Sequence, residues 1–136
     1  MNKKKKGTGI DSEFKSKPGF SGNPIIISFK YMDKNYYSVK NIPQSDWDIF
    51  FDFLYNISNM TWGQMEQDKH HFISLDSLNS EAYRNFQLFA ARYSDNLFSF
   101  RIDGKKRLYG LVYESVFYIL WYDREHKICP SKLKHT

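Results

Sequence analysis

Arg101, Lys105, Lys106 and Arg107 lie within seven consecutive residues, and Arg124, His126 and Lys127 follow further on. Clustered cations attract phosphate oxygens, and a guanidinium meets them with two parallel N–H donors. His126 belongs to the side-chain type that titrates nearest neutral pH, so it suits a general acid or base. Tyr109, Tyr113, Tyr118 and Tyr122 are interleaved with these cations and offer faces on which unpaired bases stack. The chemistry of such a set is phosphate binding, with Arg107 and Arg101 placed to stabilise charge on phosphorus and His126 to move a proton. Lys105, Lys106, Arg124, Lys127 and Tyr122 would hold the nucleic acid. The same residues also suit an ordinary solvated turn and a sheet whose tyrosines pack, because one small fold hosts many functions.

Other chemistries have less support. His126 and Cys129 are three apart and His135 follows, but a closed zinc site needs four ligands. His70-His71 would have to supply the fourth, so no metal is expected. Cys129 has only His126 and Lys127 nearby to lower its pKa and reads as an ordinary thiol. Asp46, Asp48 and Asp52 open an amphipathic segment, where carboxylates complement the helix dipole. The chain has no phosphate-binding Gly-x-x-x-x-Gly-Lys loop, no Cys-x-x-Cys pair, no Gly-x-Ser-x-Gly and no His-Glu-x-x-His. No cofactor is expected.

The elements that must position these groups follow from periodicity. Ile25 to Tyr31 is β-branched and aromatic, as a strand requires, and Tyr36 to Val39 is either a short strand or a loop. Ser45 is a candidate N-cap for a helix with Trp47, Phe50, Phe51, Leu54 and Ile57 on one face. Thr61 suits the cap of a short helix through Trp62 and Met65, and Phe72 to Leu75 a short strand or ordered loop. Ser80 suits the cap of a helix over 81–92 with a stripe of Ala82, Phe86, Phe89 and Tyr93. Residues 97–102 and 107–113 alternate around a turn at Asp103-Gly104, and the apolar run from Val116 to Tyr122 reads as a central strand. The expected class is α+β: an antiparallel sheet, made of the N-terminal strand plus a C-terminal three-stranded meander, with two or three helices packed on one face.

The net charge of +5 over 136 residues is unevenly placed. Residues 1–20 hold six basic and two acidic side chains, residues 21–100 six and nine, and residues 101–136 eight and four. Residues 1–22 are thus expected to form a flexible basic arm, 23–130 a single domain and 131–136 a basic tail. With 41% hydrophobic residues, disorder throughout the chain is not expected. No apolar run approaches the roughly 20 residues a membrane span needs. With no secretion signal and one cysteine, a cytoplasmic location and no membrane partner are expected.

Two resemblances attach to these residues. The stretch from Phe98-Ser99-Phe100-Arg101 through Arg107-Leu108-Tyr109-Gly110 to Trp121-Tyr122-Asp123-Arg124-Glu125-His126 looks like a group of small bacterial proteins that share an Arg-containing strand, a hairpin, and an aromatic strand ending in Trp and Asp-x-x-His. In architecture the chain resembles the RelE/ParE toxin superfamily, whose members are small and basic with a strand, helices and an antiparallel meander. Its ribonuclease members cut messenger RNA at the ribosome without a metal, using basic residues on the sheet and a His or Tyr near the C-terminus. The resemblance implies that Arg107 and His126 occupy those places. It further implies RNA or the ribosome as substrate and an acidic antitoxin as partner. Tyr109 departs from the pattern by standing one position early, which reverses its face on a strand, and the Lys-rich arm is outside it. The alternative is a non-catalytic nucleic-acid- or protein-binding module of a mobile element or phage.

Overall fold

A computed structural model describes residues 22–65 and 69–130; the basic arm up to residue 21 and the tail 131–136 lie outside the described residues. Five strands form one sheet: β1 (Ile26–Ser28), β2 (His71–Ile73), β3 (Leu97–Asp103), β4 (Lys106–Tyr113) and β5 (Val116–Asp123), in spatial order β1-β5-β4-β3-β2. The meander is present as expected, with antiparallel β3–β4 and β4–β5 pairs. The sheet is nevertheless mixed, because β1 runs parallel to β5, with Ile27 opposite Phe117. Residue pattern alone does not carry strand direction, so the purely antiparallel expectation is corrected here.

β1 is shorter than the apolar run from Ile25 to Tyr31. The Ile25 N–H is taken by the Met60 carbonyl at 3.1 Å, and a turn closes from Met32 N–H to the Phe29 carbonyl. Asp33 then accepts from the amides of Asn35 and Tyr36, both at 2.9 Å, so the following segment is an Asx-type loop. This loop still borders the sheet: Asp33 N–H bonds the Leu120 carbonyl, and Tyr122 N–H bonds the Tyr37 carbonyl.

Two helices accompany the sheet, α1 (Trp47–Ser58) and α2 (Ser80–Asn85). They lie on opposite faces, not on one. Phe50 and Ile57 of α1 share a core with Phe98, Phe100, Leu108, Val112, Phe117 and Ile119. Ala82 and Phe86 share another with Leu97, Tyr109, Leu111, Leu120 and Trp121. Residues of opposite parity on the same strands divide between the two cores, as the alternation of a pleated strand demands. A two-layer reading was the economical one, but β3, β4 and β5 are apolar on both faces and each face needs cover.

Both helices differ in phase from their expected stripes. In α1 the buried set is Phe50, Phe53, Leu54 and Ile57, whereas Trp47 and Phe51 are exposed. Asp46, not Ser45, occupies the cap position. In the second helical segment Asn79, not Ser80, is the N-cap, and its side chain accepts from Ala82 N–H at 2.7 Å. α2 then widens into a π-turn over Phe86–Ala90, closed by Ala91 N–H to the Phe86 carbonyl. A π-turn advances the chain by more than an α-turn, so Ala90 reaches the core and Phe89 and Tyr93 face out.

Besides a register shift at Ile102, between the pairs Arg101↔Arg107 and Asp103↔Lys106, two features tune the meander. Between the pairs Tyr109↔Trp121 and Gly110↔Ile119 one residue, Leu120, is extra, and this bulge turns Leu120 and Trp121 toward the same core. Glu114 and Ser115 close the β4–β5 hairpin at φ 50° and 72°, the left-handed pair that matches strand twist. Ser115 is held from outside: its carbonyl accepts from Trp62 Nε1 at 3.0 Å, and its hydroxyl from Asn23 Nδ2 at 2.9 Å.

Candidate nucleic-acid interface

The meander brings the end of β3, the start of β4 and the end of β5 to one end of the sheet. Arg101 stands directly opposite Arg107, and Arg107 opposite Asp123. Lys105 and Gly104 make the turn between β3 and β4, with Gly104 at φ +47°. Arg124, His126 and Lys127 follow β5 at the same end. The eight residues read from the sequence therefore lie at one end of the sheet, but they divide into three groups with different surroundings.

The first set is Arg101 and Arg107. Arg107 Nη1 donates to the carbonyls of Gly104 and Lys106, which ties the guanidinium to its own turn. Its pKa lies below the ordinary arginine value, first through burial and then through the charge of Arg101. Like charges directly opposite on a sheet are unfavourable. The nearest acid in register, Asp123, is fully buried and accepts from Lys127 N–H at 3.0 Å and Ile128 N–H at 2.8 Å. Among the described residues no carboxylate forms an ion pair with Arg101 or Arg107. Lys105 is exposed beside them.

The second set is Arg124, Tyr122 and Lys106, on the α1 side. Buried Asp46 accepts from Tyr122 Oη at 2.7 Å and from Arg124 Nε at 2.8 Å, both on Oδ2. Burial alone would raise the Asp46 pKa, but these two hydrogen bonds and the charges of Arg124 and Lys106 outweigh it and hold the carboxyl below its usual range. Tyr122 is pushed upward by burial and by Asp46. Tyr122, expected to stack a base, is 5% exposed and joins β5 to the start of α1. Arg124, expected to hold RNA, is half-exposed and already carries Asp46 and Glu125 as partners.

His126 sits at φ 59° in the turn after β5. Asp123 spans that turn through its two amide contacts, and Asn79 clasps it from α2. Asn79 N–H bonds the Ile128 carbonyl at 2.8 Å and Asn79 Nδ2 the Lys127 carbonyl at 2.7 Å. The turn carrying His126 and exposed Lys127 is thus tied at both ends to buried groups.

The tyrosines expected among the cations are elsewhere. Tyr109 is 1% exposed, its pKa raised by burial first, and Tyr113 lies at the opposite end of β4. Tyr118 leans on Tyr31, which stacks on Tyr93 with centroids 4.1 Å apart. No cluster of three or more His, Cys, Asp or Glu suited to a metal occurs among the described residues, and His135 lies outside them.

The sequence reading missed a groove of about 580 Å³ that opens beside Arg101, between α1, the segment after it and the end of β3. Phe53, Ile57 and Met60 line one wall, and Arg101 to Gly104 another. His70 bridges them, its Nδ1 accepting from Arg101 N–H at 3.2 Å. The signal available was the second apolar row of α1, Phe53 and Ile57, which continues toward Met60. No helix among the described residues is long and apolar enough to cross a membrane. Comparison with family models, curated proteins and solved structures finds no match.

Proposed function

We propose that the protein binds the phosphate backbone of RNA across this rim, as the RNA-directed component of a RelE/ParE-like toxin pair. The observation that carries the reading is the Arg101–Arg107 pair, two guanidiniums in cross-strand register with no ion-paired carboxylate among the described residues. A phosphodiester between them would relieve their repulsion and take charge-assisted hydrogen bonds from both. Lys105 and Lys127 extend the positive surface on either side. An acidic antitoxin covering the same rim would silence it, because one patch cannot hold two polyanions. The test is titration of the purified chain with a labelled single-stranded RNA over a range of salt. Binding that weakens steeply with salt supports the reading, and absent or salt-independent binding refutes it.

A second reading, cleavage, is favoured by the clamped turn that holds His126. The RNA 2′-hydroxyl would attack the adjacent phosphorus while the bond to the 5′-oxygen breaks, leaving a cyclic phosphate and a free 5′-hydroxyl. Arg107 and Arg101 would stabilise the crowded phosphorus, and His126 would take the hydroxyl proton or supply one to the leaving oxygen. Expression in cells, scoring growth and RNA integrity for wild type, Arg107→Ala and His126→Ala, separates cleavage from binding. Intact RNA with the wild-type chain leaves binding alone.

A further inference from the structure

We infer that the groove beside Arg101 receives one unstacked base of the bound RNA, an inference that rests on the reading of the rim given above. Its volume of about 580 Å³ is within the range of sites that enclose small organic ligands. Its chemistry is divided as a nucleotide is divided. Phe53, Ile57 and Met60 supply an apolar wall, and the His70 ring rests edge-on against Phe100, centroids 5.4 Å apart. Such a wall suits the faces of a base, and every base has one.

Polar groups converge on the same space. Asn56 brings a donor and an acceptor. Gln64 has its Oε1 committed to Thr61 N–H at 2.9 Å, which leaves the Nε2 donors for another acceptor. The His70 Nδ1 is taken up by the Arg101 amide. Asp103 contributes an anionic acceptor, which suits a base amino or imino N–H and repels a phosphate. The phosphate is therefore directed away from Asp103 and toward the positive charge of Arg101. Arg101 connects the two sites across the β3 edge: its amide meets His70 in the groove wall, while its side chain stands in register with Arg107 on the other face. A strand running over the rim would have its backbone on the arginines and a base within reach of the groove.

The experiment compares two oligomers of equal charge on the full chain: a short single-stranded RNA, and the same ribose-phosphate backbone with its bases removed. The wild type should bind the base-bearing oligomer tenfold or more tighter than the abasic one. Asn56→Trp, which fills the groove from the exposed side of α1, should bring the base-bearing oligomer down to the abasic level. Its fold is checked by thermal melting, and Asn56→Ala serves as a second variant that loses part of the preference without added bulk. Equal affinity of the wild type for both oligomers, with steep salt dependence, overturns the groove and leaves the rim standing. Failure to bind either oligomer overturns the rim reading and this inference with it.

Discussion

Asp46 is the residue whose removal separates structure from function at this end of the sheet. It is 3% exposed and its Oδ2 receives both the Tyr122 hydroxyl at 2.7 Å and Arg124 Nε at 2.8 Å. Asp46→Ala strands a buried tyrosine hydroxyl, and a hydrogen bond to a charged acceptor is worth about 1.5–3 kcal/mol. The Arg124 side chain is 45% exposed, so water replaces Asp46 there and its loss contributes little. The expected cost is about 2 kcal/mol, or roughly 8 °C in melting temperature for a domain of this size. The assay is urea denaturation followed by tryptophan fluorescence, with Tyr122→Phe and the double variant completing a cycle. The double variant should cost less than the two single changes added, because one bond is counted in both. Arg124→Ala leaves the buried Asp46 carboxylate with the Tyr122 hydroxyl as its one close partner and should cost about 1–3 kcal/mol. A cost below about 0.5 kcal/mol for Asp46→Ala, with the denaturant slope unchanged, would refute the reasoning.

Further outcomes follow from particular contacts. Gly110→Ala should destabilise by about 3 kcal/mol or more, since a Cβ there meets the Tyr118 carbonyl and lies 2.5 Å from Phe117 Cζ. Gly104→Ala has open space and only its φ of +47° against it, so about 1 kcal/mol is expected in the same denaturation assay. Asp46 has a lowered pKa, so its stabilisation is present above the ordinary carboxylate range and fades as pH falls through its folded value. Asp46→Asn should therefore flatten the acid limb of stability against pH. Tyr109 and Tyr122 have raised values, so their contribution is complete below pH of about 10 and is lost above it. Absorbance of tyrosinate should then rise together with alkaline unfolding, and early ionisation of both in the intact fold would contradict their burial.

Much of the scaffold was legible in the residues. The turn at Asp103-Gly104 and the apolar run from Val116 to Tyr122 define the meander, and that alone gathers Arg101, Arg107, Arg124 and His126 at one end. What was not legible depends on long-range pairing. Parallel β1 and the placement of helices on both faces require knowing which strand neighbours which. The π-turn at Phe86–Ala90 shifts a helical stripe by one residue, and no local residue type announces it. Tyr122 and Arg124 have the composition of a nucleic-acid surface, yet Asp46, 76 and 78 residues away in sequence, claims them both. The groove was missed for the same reason: His70 meets the Arg101 backbone across 31 residues.

The most direct measurement for the central claim is the salt dependence of RNA affinity in three variants. For wild type, the logarithm of affinity should fall linearly with the logarithm of salt concentration, with a slope set by the phosphates neutralised. Arg101→Ala and Arg107→Ala should each weaken binding and reduce that slope by about 1. Arg124→Ala, whose guanidinium is engaged with Asp46, should leave slope and affinity near wild type. An unchanged slope in both Arg101→Ala and Arg107→Ala, or a loss in Arg124→Ala as large as theirs, would contradict the account.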